Sequence, residues 1–430
     1  MDFELRPWVP QSGWPIPKKD LDPYYIAAQK VCELGAYRYD LEAFSDKTRN
    51  FPAFEKAKIA IGFWQLSPPT RFGSVYREEL EKAENVRVYL YANVTDLQVN
   101  ETASQVRSMR LRTLDGKTGS ARARYVVLAC GGMENARLLL LSDAVETHGL
   151  GNSHDLVGRY FMQHPHVWVA SVLANDPEAI RSFSGGHDRL GARVKPGIVI
   201  TAQAQEQYQI LNCSATVDPV PDTGSGYSVL RRMLQNVKRG NWPDEFGGKL
   251  WTVITDLDSV AGGFYERARG RRYRPLGKEI ILYVRSEQQP NPDSRIRLSE
   301  QRDQLGFRKI TADWRCTDLD KRTLRLATQL IGEEFGRLGL GRIKLHDWLL
   351  ADNAEWPKDL WGFGHHMGTT RMAVDPNNGV VDKNCRVHTV ENLYIAGSSV
   401  FPTGGYVNPT LTIVALTLRL SDQLKAKLSV

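Results

Sequence analysis

No stretch of this sequence approaches the run of about eighteen apolar residues that a membrane-spanning helix requires. The first residues lack both the basic start and the apolar centre of a secretory signal, so they do not read as a signal peptide. Prolines and tryptophans close to Met1 read instead as folded sequence, and the expected location is cytoplasmic on the chain as it stands, or periplasmic with an export signal in a missing N-terminal stretch. Cysteine is scarce: Cys32, Cys130, Cys213, Cys316 and Cys385 are far apart, odd in number and without a C-x-x-C pair. Such spacing supports neither a disulfide framework nor a zinc site, and buried or half-buried thiols are the default. Internal repeats and low-complexity segments are absent.

What remains has an ordinary globular balance, with 42% apolar and 24% charged residues. At 430 residues the chain exceeds what one hydrophobic core usually serves, so closely packed domains are expected. The net charge is +7. The basic residues are scattered except over 267–274 (RARGRRYR). That cluster reads either as a solvated loop or as a dock for an acidic electron-accepting partner or a membrane surface. No nucleic-acid-binding motif accompanies the charge, so nucleic acid is not an expected partner.

Along the chain, a turn at Ser12–Ile16 precedes a helix running through Ala27 to Leu34. Period-two alternation follows over 85–115 (Val86, Val88, Leu90; Val94, Leu97, Val99; Val106, Met109, Leu111), with Asp115-Gly116 as a turn. Tyr125–Ala129 is a short all-apolar run, which suits a central strand buried on both faces. Residues 165–310 carry short alternating strands and turn signals, predicting a largely antiparallel sheet. A long amphipathic helix is expected from Asp318 to Gly336 and a final one from Pro409 to Leu428.

Three segments carry chemistry. The run 125–140 (YVVLACGGMENARLLL) takes a buried strand into Gly131-Gly132 and opens a helix. Glycine permits close backbone approach, and a helix start offers free N–H groups to an anion. The same pattern also serves any tight strand-to-helix turn. The second segment is 364–372 (GHHMGTTRM) and the third is 396–412 (AGSSVFPTGGYVNPTLT). Taken singly, Asn408 reads as a helix N-cap before Pro409, and His365 as a satisfied loop histidine. A metal site formed by His346, His365, His366 and His388 is not supported, because adjacent histidines point apart and no acidic cluster joins them. Residues 397–401 are no nucleophile elbow, since the second glycine is missing.

Taken together, H-x-x-G-T at 365–369, GVVDKNCRV at 379–387, NLYIAGSS at 392–399 and NPTLT at 408–412 resemble the C-terminal signature of the glucose–methanol–choline oxidoreductases. The branch most similar contains pyranose oxidase and the fructose and gluconate dehydrogenases, in which asparagine fills the second catalytic position. The likeness extends to residues 12–16, 70–73, 94, 131–132, 158–165 (GRYFMQHP) and 291–295, and is weak over 170–280. It implies FAD as cofactor, oxidation of an alcohol CH–OH group of a sugar, polyol or glycoside, and hydride transfer to flavin N5. His365 is then the base and Asn408 the donor to the substrate oxygen. Val94, Ala129, Cys130, Gly131, Gly397, Ser398, Asn408, Pro409 and Thr410 match cofactor-lining positions, with Cys130 as a small buried filler. Specificity is expected near Trp361, Phe363 and Tyr406.

The implied fold is α/β: an incomplete Rossmann-like FAD-binding domain plus a mainly antiparallel substrate domain with helices. The expected division is 1–165 and 351–430 for the FAD domain and 166–350 for the substrate domain. The family pattern begins with a strand, G-x-G-x-x-G and an acidic residue. None is present, and the glycines of 336–341 (GRLGLG) have the wrong order after a helix. The central sheet is therefore expected to expose an apolar face, and the chain alone to be poorly soluble or flavin-free. A partner supplying the missing lobe, an electron-acceptor protein and a small alcohol substrate are the expected associates. The alternative to an enzyme is a truncated or partner-completed chain acting as a non-catalytic binding or assembly subunit.

Overall fold

The computed structural model describes residues 3–44, 51–176, 180, 186–238, 240–242, 244–268, 276–351, 355–362 and 364–429. Its strands in chain order are β1 (Ile59–Leu66), β2 (Asn93–Val99), β3 (Val106–Arg112), β4 (Thr118–Ala121), β5 (Val126–Leu128), β6 (His166–Ala174), β7 (His187–Arg189), β8 (Ala192–Ile200), β9 (Cys213–Pro221), β10 (Leu276–Ser286), β11 (Arg295–Arg302), β12 (Arg308–Asp313), β13 (Gly341–Leu345) and β14 (Leu393–Ile395). A seven-stranded antiparallel sheet runs β1-β8-β9-β10-β6-β13, with β7 beside β8. The alternation expected of the middle section is therefore present, although the sheet also takes β1 from well upstream.

Alternating patterns need a paired neighbour to become strands. β2, β3 and β4 form an antiparallel meander. Val86, Val88 and Leu90, expected to alternate in a strand of their own, lie in irregular chain and are exposed. The apolar run at 125–129 is only a three-residue strand, paired in parallel with β14. Val126 and Leu128 are buried, whereas Val127 is 40% exposed, so β5 is not buried on both faces as expected. Among the described residues nothing covers its second face. Tyr89, Leu90, Tyr91 and Val94 are exposed as well.

Apolar side chains collect in two main clusters. One draws on both ends of the chain, with Leu139, Val157, Ile395 and Phe401 among its members. The other lies within and behind the large sheet, with Val169, Ile198, Leu282 and Phe335. The Asp318–Arg337 helix packs here through Leu324, Leu330 and Phe335. Its start is fixed by a capping box between Thr317 and Asp320. The early tryptophans are part of the fold: Trp14 Nε1 donates to Thr403 Oγ1 at 2.8 Å, and Trp8 Nε1 to the Ile210 carbonyl at 2.9 Å. No helix of the described residues is long and apolar enough to cross a membrane.

Candidate active site

The loop bearing His365 is held by backbone pairing with the segment before β6. Met162 and Met367 exchange hydrogen bonds at 3.0 and 2.9 Å, and His166 and Trp361 do so at 2.9 and 3.1 Å. Between these two rungs lie His164 and His365, whose Nδ1 atoms stand 2.9 Å apart with their rings at 82°. His164 is fully buried, and its Nε2 faces the Gly404 carbonyl at 3.4 Å.

This arrangement assigns the tautomers. A carbonyl only accepts, so His164 Nε2 carries hydrogen. Burial pushes the His164 pKa well below its ordinary value, and a proton on His365 would push it lower still, so the ring is neutral and Nδ1 is its acceptor. His365 must then donate through Nδ1–H, which places its lone pair on Nε2. His365 is half-buried, and its pKa is lowered to about 4, first by burial, then by the positive charge of Arg285, then by His366. The imidazole is therefore unprotonated at neutral pH, but less basic than the near-neutral value that suits a general base.

Asn408 is not a helix cap. The helix runs Thr410–Leu428, its cap position is Pro409, and no side chain caps it. The Asn408 Oδ1 instead accepts from Arg285 Nη1 at 3.1 Å, which leaves the amide N–H groups as the donors that point elsewhere. Arg285 thus contacts Asn408 directly and acts electrostatically on His365. It sits near the end of β10, opposite His166 on β6 and Ser214 on β9.

Asn408 and Thr410 line a cavity of about 870 Å³, whose wall also includes Trp64, His166, Tyr283, Arg285 and Tyr406. Trp64 and Tyr406 meet edge to face at 6.1 Å. Trp361 is 59% exposed and stacks on His166 at 6.4 Å, while Phe363 lies outside the described residues. His365 is not among the residues of the cavity wall; Arg285, which is, acts on it electrostatically.

The glycine turn after β5 packs against the histidine loop. A Cβ on Gly132 would stand 2.1 Å from the His366 carbonyl oxygen, and Thr369 Oγ1 donates to the Gly132 carbonyl at 2.5 Å. Ser398 Oγ donates to the His366 carbonyl at 2.6 Å. Gly131, at φ +94°, faces open space. Ala129, Cys130 and Val94 are exposed, which corrects the expectation that Cys130 is a buried filler. The physical reason is that β5 ends at the rim of a two-stranded sheet with no described layer above it. Pro409 is buried.

Sequence reasoning missed three residues of this region. His164 lay inside a quoted motif without being singled out. Arg285 sat in a strand with no motif around it. Buried Asn135 accepts from Cys130 N at 2.8 Å and donates to Ser399 Oγ at 3.0 Å and the Ala396 carbonyl at 3.3 Å, locking the turn after β5 to the turn after β14.

Residues 290–417 match the family model for GMC oxidoreductases. The chain carries a GMC oxidoreductase C-terminal domain. Within that GMC domain lie His365, Gly397, Ser398, Asn408, Pro409 and Thr410, whereas His164 and Arg285 come from outside it. The chain is 24% identical to the fructose dehydrogenase large subunit of Gluconobacter japonicus, over 97% of this chain and 69% of that one. It is 27% identical to a 6'''-hydroxyparomomycin C oxidase of Streptomyces lividus, over 74% of this chain and 48% of the relative. A 2-methyl-1,2-propanediol dehydrogenase of Mycolicibacterium austroafricanum is also 27% identical, over 74% and 51%. The chain thus spans about half the length of these last two relatives. A solved structure of pyridoxine 4-oxidase from Mesorbium loti aligns over 94% of this chain at 17% identity, with a TM-score of 0.48.

Proposed function

We propose that this GMC oxidoreductase chain serves an FAD-dependent oxidation of an alcohol carbon in a sugar, polyol or glycoside, with His365 as base and Asn408 as donor to the substrate oxygen. The observation that carries this reading is the ordered pair of side chains: an imidazole whose tautomer His164 selects, and a carboxamide whose oxygen Arg285 occupies. Both are presented in the form alcohol oxidation needs, one as a lone pair for a hydroxyl proton and the other as N–H groups for an oxygen gaining charge.

The residues present fit part of an FAD site. Gly131 has a positive φ and an open flank at the carboxyl end of β5, beside exposed Ala129 and Cys130, and Gly397 follows the parallel strand β14. The carboxyl ends of parallel strands are where α/β folds receive nucleotides. When bound, FAD supplies the acceptor for a hydride from the carbinol carbon. The protein's own residues handle the proton and the charge. His365 Nε2 takes the hydroxyl proton while Asn408 holds the oxygen. Arg285 weakens the base by its charge, but the same positive field acidifies a nearby alcohol, so the driving force for proton transfer is largely preserved.

The test is anaerobic reduction of FAD-loaded protein by a panel of sugars, polyols and glycosides, followed as loss of flavin absorbance. In His365→Ala, reduction by a substrate that bleaches the parent is expected to slow about 100- to 10,000-fold. Reduction at the parent rate would remove His365 as the base, and a parent that no alcohol bleaches would remove the alcohol-oxidising reading.

A further inference from the structure

The large sheet gives its two faces to different tasks. On β9 and β10 one set of alternate residues, Ala215, Val217, Leu282 and Val284, packs in the cluster that includes the Asp318–Arg337 helix. The other set, Ser214, Thr216 and Asp218 with Tyr283 and Arg285, faces the cavity. Register arranges this second set in rungs: Ser214 stands opposite Arg285, Thr216 opposite Tyr283, and Asp218 one rung further on.

Arg285 and its partner Asn408 mark one end of this wall. Asp218 lies four residues along β9 from Ser214, about 13 Å of strand, so the wall continues well past the Asn408 end. A single sugar ring is shorter than that span.

The far end is built from different groups. Trp64 on β1 stands opposite Lys195 on β8, and both line the cavity. The indole lies over Gly197, where a Cβ would stand 2.4 Å from Trp64 Cζ3, so glycine is what lets the ring settle against the sheet. Tyr406 braces it edge to face from the loop that leads to Asn408.

Beside the indole, Lys195 Nζ donates to Asp218 Oδ1 at 3.1 Å, with the two side chains 34% and 37% exposed. Among the described residues that bond uses one of three ammonium donors and one of two carboxylate oxygens. An ion pair so open to solvent adds little to stability. What it presents to the cavity is donors next to acceptors, with no net charge. Ring hydroxyls donate and accept together, so they match such a pair. A charged ligand would gain from one partner and lose to the other. The broad apolar face of an indole suits the C–H face of the same ring.

We propose that Trp64, Lys195 and Asp218 form a subsite for a second, uncharged sugar ring, which makes the preferred substrate a two-ring glycoside rather than a single sugar. The proposal rests on the alcohol-oxidising reading, which puts the reacting carbon at the Asn408 end. It adds to that reading what is held at the other end.

The subsite is tested by binding and the alcohol-oxidising reading by flavin bleaching, so the two fail separately. The full 430-residue chain, in excess FAD under nitrogen, is titrated calorimetrically with glucose, galactose, maltose, cellobiose and lactose. At least one disaccharide is expected to bind about tenfold or more tightly than either of its component sugars, the worth of a hydrogen bond to a charged group. The double variant Lys195→Met, Asp218→Leu should lose that advantage and keep the parent's affinity for the single sugars. Trp64→Leu, with its circular dichroism unchanged, should lose it as well. Disaccharides that bind no better than their components overturn the proposal. So does a double variant that retains the advantage, or one that weakens single sugars and disaccharides alike. Tight disaccharide binding by a protein whose flavin no alcohol bleaches would remove the alcohol-oxidising reading and leave the subsite in place.

Discussion

His365 owes its chemistry to groups far from it in sequence. Burial, Arg285 and His366 together hold its pKa near 4. The base must be unprotonated to work, so lowering its pKa extends activity toward acid. On this reading kcat/KM stays level as the pH falls through 6.5 and drops only near about pH 4. A pH–rate profile with an acid limb at 6.5 would show that the field of Arg285 and the burial do not act on the working base. His164 is argued to act through His365, as a positioning residue. His164→Leu removes the acceptor for His365 Nδ1–H, frees the ring to take the other tautomer, and should lower kcat by about tenfold or more. His164→Asn places a carboxamide oxygen near the position of Nδ1 and should restore most of the loss. If both variants behave alike, His164 only fills space.

At the scale of elements, the histidine loop, the turn after β5 and the turn after β14 form one tightly packed unit. Gly132 is the contact that leaves no room: a Cβ there meets the His366 carbonyl at 2.1 Å, and that carbonyl also accepts from Ser398. Gly132→Ala must therefore move backbone, with an expected loss of about 1–3 kcal/mol in unfolding free energy and a displaced His365. Chemical denaturation checks the first. A variant of parental stability would mean that the loop yields freely. Legibility also divides at this scale. The long helix beginning at Asp318 was readable because its period, its cap and its buried face agree. Val86 to Leu90 were misread because alternation is only half of a strand, the other half being a partner that supplies hydrogen bonds. The helices over 226–268 were missed because the strand and turn signals on either side of them were read across the whole middle section.

Across the whole molecule, the N-terminal segment, the end of β10 and the loop at Gly405 are tied by one buried ion pair. Arg6 Nη2 meets Glu287 Oε1 at 2.8 Å, and the other Glu287 oxygen accepts from Asn212 N at 3.3 Å. Glu287 is fully buried, and Gly405 N also reaches its Oε1 at 3.4 Å. Arg6→Met leaves that carboxylate without its cation and should cost about 3–5 kcal/mol, read as a fall in Tm. An unchanged Tm would show that the pair is not shielded from water in solution.

The sequence by itself determined the family signature, the antiparallel middle sheet and the identities of His365 and Asn408, because those are carried by local spacing and side-chain period. Only the tertiary structure decided what those two residues are. Asn408 is an acceptor for Arg285 rather than a helix cap, and His365 is a donor to His164, because Arg285 arrives on β10 and His164 on the segment just before β6, both distant in sequence. The exposed face of β5 was likewise decided there, since burial belongs to the packing of layers and not to any segment alone.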